Sequence, residues 1–295
     1  MVAFIAIAEA GSITGAAQKL DLSKSVVSER LTDLERALSA KLVHRTTRKL
    51  VLTADGRAFY ERAKGIIRDL DRAASELAEN RGALTGSLRI SAPVSFGKLH
   101  LGPALFGFLA NHPEIELTLE LDDRFVDMLA EGHDAVVRHG PLDDRRVIVK
   151  RLAPSRRLLV ASPEYLKRCG RPTSFQELAG HRGIIYSNRG VDDWKFRSGR
   201  KYHTVRPGSA FRVNNGLLMM DAAVAGLGIA LLPTFFLQES LKAQRLTVLD
   251  IGAEAEDASI YIAYPDTLRS SGKIRALTAW LQKSFGKPPY WDASL

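Results

Sequence analysis

The chain has 295 residues, of which 45% are hydrophobic and 25% are charged, and its formal net charge is +9. This composition is typical of a globular protein with apolar surface for about two packed domains. Its single cysteine, Cys169, cannot form an internal disulfide. No apolar run approaches the ~20 residues that span a bilayer, and the first residues lack a secretory pattern. We therefore expect a cytoplasmic protein that does not enter the membrane.

The positive charge favours a polyanionic partner without locating its binding site. Residues 1–87 carry a net charge of +3 and the remaining residues carry +6. Nucleic acid is therefore a candidate partner, and other features must identify where it binds.

Three short helices are predicted at the start of the chain. The first covers Val2–Glu9, and Ser12 is placed to cap the second, which carries small alanines inward. Ser23 is placed to cap the third, with Leu22 and Val27 at the spacing of a hydrophobic staple. The third helix has an apolar stripe, formed by Val27, Leu31, Leu34 and Leu38.

The opposite face of the third helix is polar and suits a DNA groove. Short hydroxyl side chains approach base edges and phosphates closely, a lysine reaches a phosphate or a guanine, and a glutamate accepts from a cytosine amine. This face is formed by Lys24, Ser25, Ser28, Glu29 and Thr32. Many solvated helices carry such residues, so an ordinary surface is the alternative interpretation.

A basic turn follows and strengthens the DNA interpretation. Residues 41–53 predict two short strands around a turn, as in a β-wing beside a helix-turn-helix. Basic residues there would lie on the DNA backbone or in the minor groove. They are Lys41, Arg45, Arg48 and Lys49.

Thr53 is placed to cap a long helix whose apolar residues repeat for about three heptads. The stripe consists of Phe59, Ala63, Ile66, Leu70, Ala73 and Leu77. Because the other face of the helix is charged, we predict that a second copy of the chain covers this stripe; packing against the C-terminal part of the same chain is the alternative. Asn80–Ser87 contains two glycines and is interpreted as a hinge.

From Leu88 onward strands and helices alternate, which predicts an α/β fold with mainly parallel sheets, in one domain or in two lobes around a cleft. Ligands of such folds bind outside the carboxyl ends of strands. Three strand ends carry groups that suit a small carboxylate, namely Ser91–Ser95, Arg138–Gly140 and Asn214–Gly216. Turn chemistry or a salt bridge is the alternative for each.

The sequence contains no recognisable catalytic motif. It lacks the GxSxG elbow, the HExxH pattern, the P-loop and GxGxxG, and its cysteine and histidines have no zinc spacing. His139 is a candidate general base, but no nucleophile lies at a recognisable spacing. We expect no catalytic residue, metal or cofactor. A cleft enzyme, or a solute-binding module with an incidental helical N-terminal domain, is the alternative.

The patterns GSITGAAQKL and LVHRTTRKLVLTADG resemble the winged helix-turn-helix of LysR-type transcriptional regulators. GSLRISAP, EGHDAVVRHGPLDD and AGLGIALLP resemble the effector-binding region of the same family, so the resemblance covers nearly the whole chain. It implies an N-terminal winged helix-turn-helix, a long linker helix and a C-terminal two-lobed α/β domain like a periplasmic binding protein.

The resemblance also divides the chain. We expect a DNA-binding domain at 1–53, a dimerisation helix at 54–80, a hinge at 81–87 and an effector-binding domain at 88–295. The first lobe of this last domain would comprise about 88–161 and 266–295, and the second about 162–265, with crossings near 161 and 265.

Three sets of site residues follow from the resemblance together with the patterns above. The helix that enters the major groove would carry Ser23, Lys24, Ser25, Ser28 and Arg30. The predicted DNA contacts are Ser12, Thr14, Ser23, Lys24, Ser25, Ser28, Glu29, Arg30, Thr32, Arg45, Thr46, Arg48 and Lys49. The predicted effector contacts are Ser91, Pro93, Val94, Ser95, Arg138, His139 and Asn214, and the dimer contacts are Phe59, Ile66, Leu70 and Leu77.

The expected function is sequence-specific regulation of transcription on double-stranded DNA by a homodimer or homotetramer. A small effector, anionic and most simply a carboxylate, would change its activity, and RNA polymerase is a further expected partner. Lys24 and Ser25 replace the Gln-Pro that is frequent in the family, and Glu29 stands where Arg or Gln is common. The DNA sequence recognised is therefore expected to differ from typical sites of the family.

Overall fold

The computed structural model describes residues 1–45, 50–79, 83–124, 126–140, 144, 146–189, 193–256 and 258–293. The chain forms two compact units, Met1–Gly86 and Ser87–Leu295. In the part of the chain that is described, no helix is both long and apolar enough to cross a membrane.

The N-terminal unit contains four helices and a two-stranded hairpin. In chain order they are α1 (Val2–Ala10), α2 (Ile13–Lys19), α3 (Lys24–Leu38), β1 (Val43–Arg45), β2 (Leu50–Leu52) and α4 (Ala54–Glu79). β1 and β2 are antiparallel, with His44 opposite Val51. The winged helix-turn-helix followed by a long helix is therefore confirmed.

Serine caps set the starts of α2 and α3, as predicted. The Oγ atom of Ser12 accepts a hydrogen bond from the backbone N–H of Gly15 at 3.0 Å, and Ser23 Oγ accepts from Val26 N at 3.3 Å. Each hydroxyl satisfies one of the N–H groups that a helix start leaves unpaired. The chain leaves α1 through Gly11, whose φ of +63° lies in the left-handed region.

The core of the N-terminal unit lies where the first three helices meet the hairpin. Its fully enclosed side chains are Phe4, Ile7, Ala16, Ala17, Val27, Leu31 and Leu42. The predicted inward position of Leu38 is wrong, since this side chain is 40% exposed. The apolar stripe of α3 ends earlier because Glu35 occupies the buried position near the helix end and binds the start of the hairpin.

The C-terminal unit begins with β3. Its strands are β3 (Gly86–Ala92), β4 (Ile115–Leu121), β5 (Ala135–His139), β6 (Val147–Ser155), β7 (Arg157–Ala161), β8 (Arg182–Tyr186), β9 (Trp194–Ser198), β10 (Lys201–Val205), β11 (Gly208–Val213), β12 (Ile229–Pro233), β13 (Thr247–Leu249), β14 (Glu254–Ala255) and β15 (Ala258–Pro265). Its helices are α5 (Val94–Phe96), α6 (Gly102–Asn111), α7 (Met128–Glu131), α8 (Pro163–Cys169), α9 (Phe175–Ala179), α10 (Gly216–Val224), α11 (Gln238–Lys242) and α12 (Gly272–Phe285). A π-helical turn, Gly97–Leu101, joins α5 to α6.

Two five-stranded sheets form two lobes within this unit. The first sheet has the order β4-β3-β5-β15-β6, and the second has the order β11-β8-β12-β7-β13. A three-stranded sheet, β10-β9-β14, extends the second lobe. The two-lobed α/β architecture is confirmed, but both sheets are mixed rather than mainly parallel. In the first sheet β15 runs antiparallel to β5 and β6. In the second sheet β7 runs antiparallel to β12 and β13.

The chain crosses between the lobes earlier than expected. β6 ends in the first sheet at Ser155, and β7 enters the second sheet at Arg157. The return follows Ala255, since β15 already pairs in the first sheet from Ala258. The crossings predicted near 161 and 265 are wrong because β7 and β15 change sheets at their first residues and not at their last.

The predicted hinge is shorter than expected. Gly86 and Ser87 belong to β3, so the hinge cannot include them, while residues 80–82 lie outside the described part.

The end of the chain folds back between the lobes. After α12, a short 3-10 turn places Trp291 in a fully buried position. Its ring lies 4.8 Å from that of His100 and 5.4 Å from that of Phe285 in the first lobe, and 6.3 Å from that of Phe235 in the second, measured between ring centroids. The last residues therefore form part of the contact between the lobes.

Candidate DNA interface and ligand cleft

The outward face of α3 presents the side chains predicted to contact DNA. Lys24, Ser25, Glu29, Arg30 and Thr32 are exposed. Their hydroxyls are held locally: Ser25 Oγ lies 2.8 Å from the capping Ser23 Oγ, and Thr32 Oγ1 donates to the backbone oxygen of Ser28 at 3.0 Å. The face is therefore preorganised, and each hydroxyl oxygen keeps capacity to bond an incoming base or phosphate.

The remaining predicted DNA contacts lie at either side of α3. Thr14 is exposed on α2, while Ser12 is half-buried and caps that helix. Arg45 ends β1, and its side chain is not described; Thr46, Arg48 and Lys49 also lie outside the described residues. Their predicted contacts with DNA stay predictions.

Glu35 fixes the start of the wing against α3. Its Oε1 atom accepts hydrogen bonds from the backbone N–H groups of Leu42 at 2.9 Å and Val43 at 3.3 Å, and its Oε2 accepts from Lys41 Nζ at 2.6 Å. Burial alone would raise the pKa of Glu35, but the hydrogen bonds from Lys41, Leu42 and Val43 outweigh it, so the pKa lies below its usual value. Lys41, predicted as part of the basic turn, is thus engaged by a carboxylate.

The first turn of α4 holds the other side of the same segment. Thr53 Oγ1 donates to the backbone oxygen of Lys41 at 2.6 Å and accepts from Gly56 N at 2.8 Å. A Cβ atom at Gly56 would lie 2.0 Å from the backbone oxygen of Leu42, so only glycine allows this approach. Thr53 and the basic turn were predicted from the sequence, whereas the contacts by which Glu35 and Gly56 hold the start of the wing were not.

The apolar stripe of α4 divides into two parts. Phe59, predicted as a dimer contact, packs against Phe4 of its own unit with ring centroids 5.7 Å apart, because α1 covers the first turns of α4. Further along, Ile66, Leu70 and Leu77 are 52%, 64% and 67% exposed. An apolar stripe of this kind on an exposed helix requires a covering partner.

In the C-terminal unit, Arg138 and Ser91 lie together at the ends of adjacent strands. Arg138 donates from Nη2 to Ser91 Oγ at 2.9 Å and from Nη1 to the backbone oxygen of Val137 at 2.8 Å. Burial lowers the pKa of Arg138, while Asp122 and Asp123 partly offset this effect. Among the described residues, Arg138 forms no ion pair with a carboxylate.

Asp123 connects the two lobes across the cleft. Its Oδ1 accepts from the backbone N–H of Val94 in the first lobe at 3.0 Å, and its Oδ2 accepts from Asn215 Nδ2 in the second at 3.1 Å. Asn188 Nδ2 also reaches the backbone oxygen of Asp123, at 2.5 Å. The sequence prediction missed Asp123, although it follows β4 and so ends a strand, as do Ser91 and Arg138.

The other predicted cleft residues have different surroundings. Ser95 is 3% exposed, and its hydroxyl has no hydrogen-bond partner in the described structure; the same holds for Thr234, which follows β12 in the second lobe. His139 Nε2 lies 2.9 Å from Ser155 Oγ. Asn214 is exposed, and its neighbour Asn215 makes the contact across the cleft.

His100 forms a further connection between the lobes. Burial lowers the pKa of His100 and so favours the neutral ring. Its Nε2 lies 3.0 Å from the backbone oxygen of Phe235 and its Nδ1 lies 2.5 Å from the hydroxyl oxygen of Tyr290. In the neutral tautomer that fits both contacts, Nε2 donates to Phe235 and Nδ1 accepts from Tyr290.

The features described above define a class of protein, namely DNA-binding regulators with a ligand-binding domain. They are a groove-reading helix with a wing, a linker helix with an exposed apolar stripe, and a polar cleft between two α/β lobes. Residues 1–57 match the family described as bacterial regulatory helix-turn-helix protein, lysR family, and residues 81–286 match the LysR substrate binding domain. The chain belongs to the LysR family of bacterial transcriptional regulators. In the described part of the chain, no cluster of three or more His, Cys, Asp or Glu could hold a metal ion.

Named relatives share this organisation over nearly their whole length. The chain is 35% identical to the HTH-type transcriptional regulator YhjC of Escherichia coli K12, covering 95% of each protein. It is 32% identical to an HTH-type transcriptional regulator of Haemophilus influenzae, covering 93% of this chain and 96% of the relative. Among solved structures, the full-length virulence activator AphB of Vibrio cholerae is 26% identical with a TM-score of 0.61, over 95% of this chain and 96% of AphB.

Proposed function

We propose that this regulator acts in the cytoplasm as a homodimer or homotetramer, and that a small carboxylate bound between its lobes changes its binding to double-stranded DNA. The observation that carries the effector proposal is Arg138, a largely buried guanidinium with neutral hydrogen-bond partners and no carboxylate paired to it in the described residues.

The DNA contact is assigned to α3 and the wing. Lys24 at the first turn of α3 would lie near phosphate, where the helix N-terminus also favours negative charge. Ser25 and Ser28 are short enough to reach base edges, and Glu29 would discriminate by accepting from a cytosine amine. The pair Glu35 and Gly56 would set the position of the wing relative to α3, because both hold the segment where the wing begins.

Self-association is assigned to the exposed part of α4. Ile66, Leu70 and Leu77 follow the spacing of a two-helix seam, and burying such side chains stabilises a complex by roughly 1.5 to 3 kcal/mol each. Two copies joined through α4 would present two α3 helices to two half-sites of one DNA duplex.

The ligand cleft suits an anion at one end. A buried guanidinium gains most from a charge-assisted bond to a carboxylate, which would lie beside Arg138 and Ser91. The buried hydroxyls of Ser95 and Thr234 have unused hydrogen-bonding capacity that a ligand would satisfy. Asp123 would repel an anion, so the carboxylate is expected on the Arg138 side of the cleft.

Regulation requires that the ligand bind one arrangement of the lobes more tightly than another. The bond between Asp123 and Asn215 joins the lobes next to Arg138, so a ligand that alters this bond would shift their relative position. RNA polymerase is proposed as a further partner, a role consistent with the name of the relative AphB, which is called an activator.

The experiment begins with genome-wide mapping of bound sites, since the genes next to them suggest candidate carboxylates. DNA titrations with and without each carboxylate would then compare the wild type with Arg138→Ala. We expect this variant to bind operator DNA normally and to lose the response. Arg151→Ala, at an exposed position of the same sheet, is the matched control. A variant at Arg138 that responds at the wild-type concentration would refute the proposed ligand site.

The alternative of a cleft enzyme is not proposed, because His139 faces Ser155 inside the first lobe and Ser155 is only 1% exposed. A substrate panel tested for turnover would check this: catalytic turnover that is lost in a His139→Gln variant would restore the enzyme interpretation.

A further inference from the structure

The C-terminal unit carries its excess positive charge on one short segment. Residues 88–295 contain 28 Lys and Arg against 22 Asp and Glu, while residues 194–212 contain six of these bases and no acid. Without that segment, the C-terminal residues are balanced, with 22 bases and 22 acids. The six bases are all exposed; they are Lys195, Arg197, Arg200, Lys201, Arg206 and Arg212.

The β9–β10 hairpin carries four of these bases, two on its outward face and two at its turn. Successive side chains of β9 alternate between core and solvent, so Trp194 and Phe196 are 5% and 1% exposed. Lys195 and Arg197 alternate with them and face outward, and β10 places Tyr202 opposite Arg197 and Thr204 opposite Lys195. Arg200 lies in the exposed turn, and Lys201, which is paired with Ser198 at the start of β10, is exposed beside it. The exposed surface of the hairpin and its turn comprises Lys195, Arg197, Arg200, Lys201, Tyr202 and Thr204. We call this surface the basic face.

The charges of the basic face are largely uncompensated. Arg197 has a carboxylate neighbour in Glu254 at 3.3 Å, and both side chains are about half exposed or more, so this pair contributes little. As far as the structure describes the chain, Lys195, Arg200 and Lys201 form no ion pair, although the charge of Lys195 helps to lower the pKa of Asp193. Arg206 differs from them, because it pairs with Asp193 at 2.7 Å and lies beyond the end of β10.

The chemistry of the basic face fits the backbone of DNA. Lysine, arginine, threonine and tyrosine are among the side chains that donate hydrogen bonds to DNA phosphates. A protein interface would instead bury a cluster of apolar side chains at its centre, and this face carries a single large one, Tyr202. We propose that the basic face binds the sugar-phosphate backbone of DNA, as a second contact surface in addition to α3 and the wing.

This proposal rests on the DNA-binding function proposed above and adds to it. Phosphate contacts carry no base information, so the basic face strengthens binding to any duplex long enough to reach it. Because the N-terminal unit already holds the DNA, the second contact is intramolecular and gains from a high effective concentration. The basic face would thus make affinity depend on duplex length and on salt.

The test uses the full chain and a random-sequence duplex several helical turns long. One variant neutralises the face: Lys195→Gln, Arg197→Gln, Arg200→Gln and Lys201→Gln. A control removes the same charge from exposed positions elsewhere in the unit: Lys98→Gln, Lys150→Gln, Arg151→Gln and Lys167→Gln. Affinity is measured by fluorescence anisotropy between about 50 and 200 mM salt, the range over which phosphate contacts weaken strongly. Tryptophan fluorescence checks that both variants are folded.

We expect the neutralised face to reduce affinity about tenfold or more at low salt. The slope of log affinity against log salt should fall by about 0.9 for each DNA phosphate that the variant no longer neutralises. The control should retain both values. Equal reductions in the two variants, or no reduction in either, would overturn the proposal.

Two further outcomes separate it from related proposals. Unchanged DNA affinity together with abolished binding to polyglutamate would assign the face to an acidic protein and overturn the DNA proposal. A wild-type chain that binds no duplex would overturn it together with the proposed function.

Discussion

Replacing Glu35 should uncouple the wing from α3 and destabilise the N-terminal unit. In Glu35→Ala the buried N–H of Leu42 loses its acceptor, which costs about 1 to 3 kcal/mol. The longer bond to Val43 and the pair with Lys41, which is 75% exposed, add about 1 kcal/mol. The expected loss is therefore about 2 to 4 kcal/mol for Glu35→Ala, and about 1 kcal/mol for Glu35→Gln, which keeps an oxygen for the backbone.

The measurement can separate the two units of the chain. All three tryptophans lie in the C-terminal unit, so their fluorescence during urea unfolding serves as an internal control. Hydrogen exchange of peptides from residues 1–86 would report the free energy of opening of the N-terminal unit. An unchanged opening free energy in Glu35→Ala would refute the argument, and so would an equal loss of stability in the C-terminal unit.

The same carboxylate predicts a pH dependence. The pKa of Glu35 in the folded chain lies below its usual value of 4.5, so the stability that it contributes is fully present above that value. As the pH falls from 4.5 through the lower folded pKa, the contribution is lost. Glu35→Gln cannot titrate there, and its N-terminal unit should lose less stability than the wild type over the acid range.

Three further predictions concern α3 and α4. Gly56→Ala places a Cβ atom 2.0 Å from a backbone oxygen and should destabilise the N-terminal unit. Gly65→Ala in the same helix meets nothing closer than 3.9 Å and should stabilise the unit by about 0.5 to 1 kcal/mol. Urea unfolding followed by far-UV circular dichroism would show both effects. Ile66→Asp with Leu70→Asp should dissociate the dimer, and an unchanged mass by light scattering would contradict the proposed interface. Ser28→Ala should change sequence preference by about 1 to 3 kcal/mol without weakening random DNA; an equal loss on both duplexes would exclude base contact.

Local signals in the sequence predicted the elements that they control directly. Ser12, Ser23 and Thr53 start their helices as expected because a cap acts within three residues of itself. Leu38 shows the limit of such reasoning. Its spacing continues the stripe of α3, but the core ends at Glu35, whose buried position depends on a contact with the wing.

The ligand cleft was predicted only in part, for a similar reason. Ser91 and Arg138 each end a strand, and the structure brings them together. Asp123 was missed, and Asn214 was chosen in place of its neighbour Asn215, because the bond between Asp123 and Asn215 joins residues 92 positions apart in different lobes, and no periodicity records such a pairing. The crossings were placed by resemblance at the ends of β7 and β15, whereas the chain changes sheets where these strands begin.

The order of the strands has a consequence for synthesis of the protein on the ribosome. The second lobe is one continuous stretch, from Arg157 to Ala255, so it can complete its sheet while the rest of the chain is still being made. The first lobe cannot, since β15 lies between β5 and β6 and reaches the ribosome exit long after both. Until β15 emerges, β5 and β6 each have an open edge. These edges wait longer for their partner than other strands of the described sheets, and during that time they can pair with a wrong strand.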